Sequence, residues 1–160
     1  LLSLDSTMTQ FAQDLSWGEE GEAQLKNILN SLPSVKTCKK VPHTDAPYDL
    51  KLTTNSGAER GIEVKRLRGG YPTGVVEIWR DTEKRQRPLW HSDKTDYIFF
   101  KDESKNYWYM YNAQDVIKYL HQYDGHMTWA RSSSKSDSGW IVKFEWEGGM
   151  PGFIKKFKGD

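Results

Sequence analysis

The chain has 160 residues, 23 basic and 22 acidic side chains and a formal net charge of +1, which suits a single domain and excludes a strong global field. Seven Trp, eight Tyr and six Phe supply large core-forming side chains and argue against disorder. The lone Cys38 excludes a disulfide framework, four scattered His make no structural zinc set, and no apolar run reaches the ~20 residues that span a bilayer.

Leu1 to Thr7 lack the basic flank and apolar stretch of a signal peptide. The expectation is an intracellular, cytoplasmic chain that associates with no membrane. Met8 reads as the natural start, with residues 1–7 an upstream remnant, 8–147 a single domain and 148–160 an unassigned basic tail.

The first element is a helix from about Trp17 to Leu32. Ser16 with Glu19 is a capping-box pair, Leu25, Ile28, Leu29 and Leu32 recur at helical spacing, and Pro33 stops the run. Val35 to Val41 is a weak strand candidate. Tyr48 to Thr54 alternates, with Tyr48, Leu50 and Leu52 on one face and Asp49, Lys51 and Thr53 on the other. Asn55-Ser56-Gly57 is a turn signal, so a strand from Gly61 to Leu67 completes a hairpin. Gly69-Gly70 and Pro72 break the pattern before a strand from Gly74 to Trp79, and Asp81 to Lys94 has no assignment. Asp96 to Lys101 and Tyr107 to Tyr111 read as a second hairpin. Asn112 caps a helix through Tyr123 with Val116, Ile117 and Leu120 inward. Ser132 to Ser138 has loop composition, and Gly139 to Trp146 is the last strand. This order predicts an α+β or mixed α/β fold, a central mixed sheet flanked by helices.

Glu63-Val64-Lys65 carries the chemical information. Residues two apart in a strand share a face, so Glu63 and Lys65 lie together while Ile62 and Val64 point the other way. Folding the hairpin brings Asp49 beside Glu63. Two carboxylates, a backbone carbonyl and waters form a hard-oxygen set suited to Mg²⁺ (or Mn²⁺), and the Lys65 ammonium beside them can hold a water or offset charge on a phosphate. The ordinary alternative for these three residues is a cross-strand salt bridge on a solvated sheet face.

Tyr48-Asp49-Leu50 with Glu63-Val64-Lys65, behind Gly18-Glu19-Glu20-Gly21-Glu22-Ala23 and Leu25 and Leu29, resembles the PD-(D/E)XK nuclease superfamily, whose fold is restriction-endonuclease-like. Thr73-Gly74 with Glu77, and Thr95-Asp96-Tyr97, are similar to small phage and bacterial members. Tyr48 stands between Pro47 and Asp49, so the Pro-Asp pair of the motif is absent. The resemblance covers roughly residues 16 to 123. It implies a sheet with flanking helices and hydrolysis of nucleic-acid phosphodiesters, with DNA ahead of RNA and internal cutting ahead of terminal. It also implies a divalent cofactor and is compatible with a homodimer. By motif match Asp49 and Glu63 bind metal, Val64 adds its carbonyl, Lys65 assists the water, and Glu77 is a tentative further member. The runner-up is a non-catalytic nucleic-acid-binding or assembly module on the same scaffold.

Which acid of the first helix joins them follows from the helical wheel. Glu22 falls about 60° from Leu25, at the edge of the apolar stripe, whereas Glu19 falls about 120° away. Glu19 is explained as the capping-box partner and Glu20 as solvated, so Glu22 is expected to reach toward Asp49 and Lys65 as a second-metal or outer-shell ligand. Arg66 and Arg68, and then Arg80, Lys84, Arg85 and Arg87, form basic clusters suited to a phosphate backbone. Trp79, Trp90 and Trp108 are stacking candidates with core packing as their ordinary role, and His91 and His126 are acid–base candidates with no partner near in sequence.

Overall fold

The computed structural model of the chain describes residues 4–66, 72–80, 83, 86–130 and 139–159, and the side chains of the first helix from Trp17 onward. Helix α1 runs Leu4–Asn30. The expected start at Ser16 is not observed: with no proline before it, the helix runs through Ser16, which is an interior position and not a helix start. At the other end Asn30 joins the helix to the next strand. Its Nδ2 donates to the Cys38 carbonyl (3.1 Å) and its Oδ1 accepts from the Cys38 N–H (2.8 Å). Leu32, expected in the apolar stripe, lies past the helix end and is exposed.

The remaining elements are β1 (Val35–Lys40), β2 (Leu50–Thr54), β3 (Glu59–Arg66), β4 (Gly74–Trp79), β5 (Tyr97–Asp102), β6 (Tyr107–Asn112), α2 (Ala113–His121), β7 (Thr128–Ala130), β8 (Gly139–Phe144) and β9 (Phe153–Lys158). As expected, Asn112 caps α2, its side chain accepting from the Asp115 N–H at 3.0 Å. Gly69-Gly70 and Ser132 to Ser138 lie outside the described residues.

The fold is mixed α/β, built on a six-stranded mixed sheet in the order β1-β2-β3-β5-β6-β9, with β3 and β5 parallel and the other neighbours antiparallel. Only one face of that sheet carries a helix alone. A parallel pair needs a crossover. Here the crossover from β3 to β5 carries β4, which pairs with β8 to build a second sheet, β4-β8-β7. Strand alternation then divides the core. Ile62, Val64, Phe99 and Trp108 face α1 and meet Leu25, Leu29, Cys38 and Leu50. Ile98, Phe100, Tyr109 and Tyr111 point to the opposite face and pack with Val76 and Ile78 of β4, Val116 and Leu120 of α2, and Phe144 and Trp146.

The basic tail contains a strand. Phe153 and Phe157 of β9 pack against the two core clusters, while Lys155, Lys156 and Lys158 line the sheet's outer edge, where charge discourages further strand pairing.

Gly61 sets the position of β3 beneath the site. Its N–H donates to Asp96 Oδ2 and its carbonyl accepts from the Asp96 N–H, both at 2.8 Å. A Cβ there would lie 2.5 Å from the Tyr48 ring and 2.6 Å from the Lys94 carbonyl. Gly61→Ala is therefore expected to destabilise the fold by about 1–3 kcal/mol in urea unfolding. An unchanged midpoint would show that the β2–β3–β5 junction has slack.

Candidate active site

The hairpin turn closes at Gly57, whose φ of 89° is open to glycine, with the Gly57 N–H donating to the Thr54 carbonyl at 2.9 Å. Leu50 pairs with Ile62 and Thr53 with Glu59, so one further step of this register sets Asp49 opposite Glu63. Two hydrogen bonds fix Asp49 there. Its N–H donates to the Ile62 carbonyl, and its Oδ2 accepts from the Val64 N–H, each at 2.9 Å.

Asp49 and Glu63 are each only 7% exposed, so the pair is not a salt bridge on a solvated face. Burial, and next the facing Asp49 charge, push the Glu63 carboxyl well above its ordinary pKa, and Lys65 opposes that rise. Lys65 Nζ lies 3.2 Å from Glu63 Oε2 and 2.7 Å from Oε1 of Glu77, which reaches across from β4. Burial by itself would lower the Lys65 pKa. Glu77 first, and Glu63 after it, outweigh burial and raise it, so Lys65 is a firmly held ammonium.

Glu22 approaches from the helix side. Its side chain is 16% exposed, and Lys40 Nζ stands 3.6 Å from its Oε2, an atom that is buried with no hydrogen-bond partner. Burial and the Asp49 charge raise its pKa to about 7, against the opposing pull of Lys40. The structure thus sets Glu22 against Asp49, whereas Lys65 pairs with Glu63 and Glu77. Glu19 stands 3.7 Å from Lys40. Glu20, expected to be solvated, is exposed and bonds Arg66 at 3.1 Å.

The residues line a cleft of about 300 Å³, bounded by Asp49, Glu63, Lys65, Glu77 and Arg80, by His43, Ala46 and Pro47 before β2, and by Pro88, Leu89 and Trp90. No three His, Cys, Asp or Glu side chains among the described residues stand as a ready metal cage. The donor chemistry nevertheless fits a hard divalent ion: the carboxyls of Asp49 and Glu63 are both buried on one cleft, and Glu22 Oε2, on the Asp49 side, is buried with no hydrogen-bond partner.

The described members of the basic clusters serve different ends. Arg66 is not free for a phosphate: its Nε donates to Glu103 (2.6 Å), its Nη1 to the Trp17 carbonyl (3.0 Å) and Glu20, and its guanidinium stacks on Trp17 at 3.5 Å. Gly21 leaves the space for it, since a Cβ there would meet Arg66 at 2.8 Å. Arg87 stacks on Trp79 at 3.5 Å and donates to the Ile78 carbonyl. Arg80 lines the cleft, and Arg68, Lys84 and Arg85 lie outside the described residues. Trp90 and Trp108 are core residues, at 2% and 0% exposed.

His126 is exposed. His91 has partners distant in sequence. Its Nδ1 is 3.1 Å from His121 Nε2, and its Nε2 is 3.0 Å from the Glu77 carbonyl. Burial, and then His121, lower the His91 pKa to about 3, so the ring is neutral and Nε2–H donates to that carbonyl.

No protein-family model matches the chain, and no curated protein does. Sequence reasoning missed His43, Lys40, Pro88 and Leu89 as members of this neighbourhood, and named Trp90 only as a stacking candidate. Lys40 and His43 lie only a few residues before Asp49 but carry no motif, and the apolar run Pro88-Leu89-Trp90 in a polar stretch is the one signal for that segment.

The Glu22 shift has a consequence for stability. The unfolded chain ionises Glu22 near 4.5 and the folded one near 7, so between these values the folded state binds more protons and stability falls as pH rises. Glu22→Gln removes that loss. It is expected to match the wild type near pH 4 and to exceed it at pH 8 by up to about 3 kcal/mol, less whatever solvent screening removes. Urea unfolding at the two pH values checks this, and equal differences at both would refute it.

Proposed function

We propose that this protein is a metal-dependent nuclease, hydrolysing phosphodiester bonds of nucleic acid, DNA ahead of RNA, on a restriction-endonuclease-like scaffold of the PD-(D/E)XK type. The observation that carries the reading is the convergence of Asp49, Glu63 and Lys65 in one cleft, with Asp49 oriented by the Val64 N–H. A structural ion pair accounts for Glu63 and Lys65 alone. It does not account for a second buried carboxyl facing Glu63, which adds repulsion and leaves Lys65 to offset two neighbours at once.

Asp49, through the oxygen not engaged by Val64, and Glu63 would hold Mg²⁺ or Mn²⁺, with the Val64 carbonyl as a further oxygen donor and Glu22 acting from the helix side through its charge on Asp49. A divalent ion bound there supplies Lewis-acid polarisation of the phosphate and a lowered water pKa. Lys65 stays protonated throughout, so it donates hydrogen bonds to the attacking water or to a phosphate oxygen and does not serve as a base. Glu77 holds the Lys65 ammonium from the second sheet and keeps it in place when Glu63 turns to other partners. Arg80, which lines the cleft together with Lys65, would meet a flanking phosphate.

Labelled DNA and RNA incubated with Mg²⁺ or Mn²⁺ test the reading, and cleavage is expected to vanish in EDTA. Asp49→Asn and Glu63→Gln are each expected to slow cutting by about 10²-fold or more, with the melting temperature kept or raised. Lys65→Ala is expected to slow it by about 10–100-fold while metal affinity holds. Because Glu63 must give up its proton to bind an ion, the rate is expected to rise with pH until that carboxyl is fully ionised. Wild-type rates in the Asp49 and Glu63 variants would overturn the assignment.

A further inference from the structure

Leu89 is 62% exposed, although it lines the cleft that holds the charged residues. Single exposed leucines are common on surfaces, so exposure by itself decides nothing. The backbone that presents this one is held by the turn it belongs to and by the residues that follow it. Pro88 to His91 form a turn in which the His91 N–H donates to the Pro88 carbonyl at 3.0 Å, with Leu89 at its apex. Trp90, next along, is 2% exposed and lies in the core. The His91 ring stands edge-on to Trp90 at 4.2 Å and is tied to the Glu77 carbonyl and to His121. The turn thus presents Leu89 to solvent while its neighbour Trp90 lies in the core.

A ligand of this cleft therefore meets hard, charged groups at Asp49, Glu63 and Lys65 and a rigid apolar side chain at the lip. A nucleotide offers both, an anionic phosphate and an apolar base face. A cleft of about 300 Å³ open to solvent receives the part of a nucleic acid around one phosphodiester link. In a continuous duplex each base face is covered by its neighbour, so Leu89 meets one only where stacking is interrupted.

Resting on the nuclease reading above, we infer that Leu89 packs on an unstacked base beside the bound phosphate. The substrate class is accordingly nucleic acid with an unpaired nucleotide at the cut site, and not a continuous duplex. Leu89 takes the place of the missing stacking neighbour, and the fixed turn means that little ordering is needed on binding.

Two duplexes of one sequence test this, one fully paired and one with a single unpaired 2-aminopurine at its centre. Cleavage is followed in Mg²⁺ and the fluorescence of the bound probe in Ca²⁺. The wild type is expected to cut the interrupted duplex about tenfold faster or more, and Leu89→Ala to bring that rate down to the paired one. The fluorescence change on binding is expected to disappear with Leu89→Ala. Leu32→Ala, at an exposed leucine outside the cleft, is expected to behave as wild type, and melting temperatures confirm that both variants fold. Equal wild-type rates on the two duplexes, or a Leu89→Ala variant matching wild type in rate and fluorescence, overturn the inference. If the wild type cuts neither duplex, the nuclease reading fails by itself. The fluorescence then decides the contact: a change lost with Leu89→Ala sustains it, and no change overturns it.

Discussion

Glu63 buried face to face with Asp49 is the constraint from which the rest of the structure follows. Carboxyls this deep are tolerated only when protonated, hydrogen-bonded or paired with a cation. All three remedies are used here. The Val64 N–H satisfies Asp49, Lys65 lies against Glu63, and the Glu63 carboxyl is pushed toward its neutral form. Each remedy requires a specific register. A slip of one residue in the β2–β3 hairpin would turn Glu63 and Lys65 into the leucine cluster beneath α1 and leave Ile62 and Val64 among the charges.

The six-stranded sheet acts as a partition between two ionic groups. On the helix side Glu22 and Glu19 stand near Lys40, and on the other side Lys65 is held between Glu63 and Glu77. Asp49 lies just before β2 begins, where it raises the pKa of Glu22 on one side and of Glu63 on the other. The helix cannot drift from this arrangement. Arg66, the residue after Lys65, threads over Gly21, stacks on Trp17 and reaches both Glu20 and Glu103, tying α1, β3 and the β5–β6 turn together. A side chain that looks like a phosphate ligand in the sequence is therefore a clamp that fixes the separation of Glu22 from β3.

The second sheet gives the cleft its other wall. β4 brings Glu77, and the backbone of the same residue anchors His91, so the side chain that holds Lys65 and the turn that carries Leu89 share one support. Behind them an aromatic cluster that includes Phe100, Tyr111, Phe144 and Trp146 interlocks mostly edge-to-face. That packing explains the abundance of aromatic residues, with Trp90 and Trp108 spent on the core and Trp79 on a guanidinium.

Local rules in the sequence determined the elements and their faces. Alternation separated Ile62 and Val64 from Glu63 and Lys65, the Asn55-Ser56-Gly57 signal located the turn, and Asn112 capped α2, because each depends only on residues a few positions apart. The wheel likewise put Glu22, and not Glu19, at the edge of the buried stripe. Ser16 and Glu19 mimic a helix start, but a local signature cannot tell whether the helix continues behind it. Tertiary structure alone decided how strands distant in sequence associate: that β4 leaves the main sheet to pair with β8, that β9 completes the sheet at β6, and that Arg66 is used up on Trp17. It also decided the company of the charges. Glu77 with Lys65 and the turn at Leu89 on the cleft of Glu63 are set by the second sheet, and Lys40 with Glu22 by the helix on the first; the chain carries no short-range signal for either, since burial is a property of the whole fold and not of a segment.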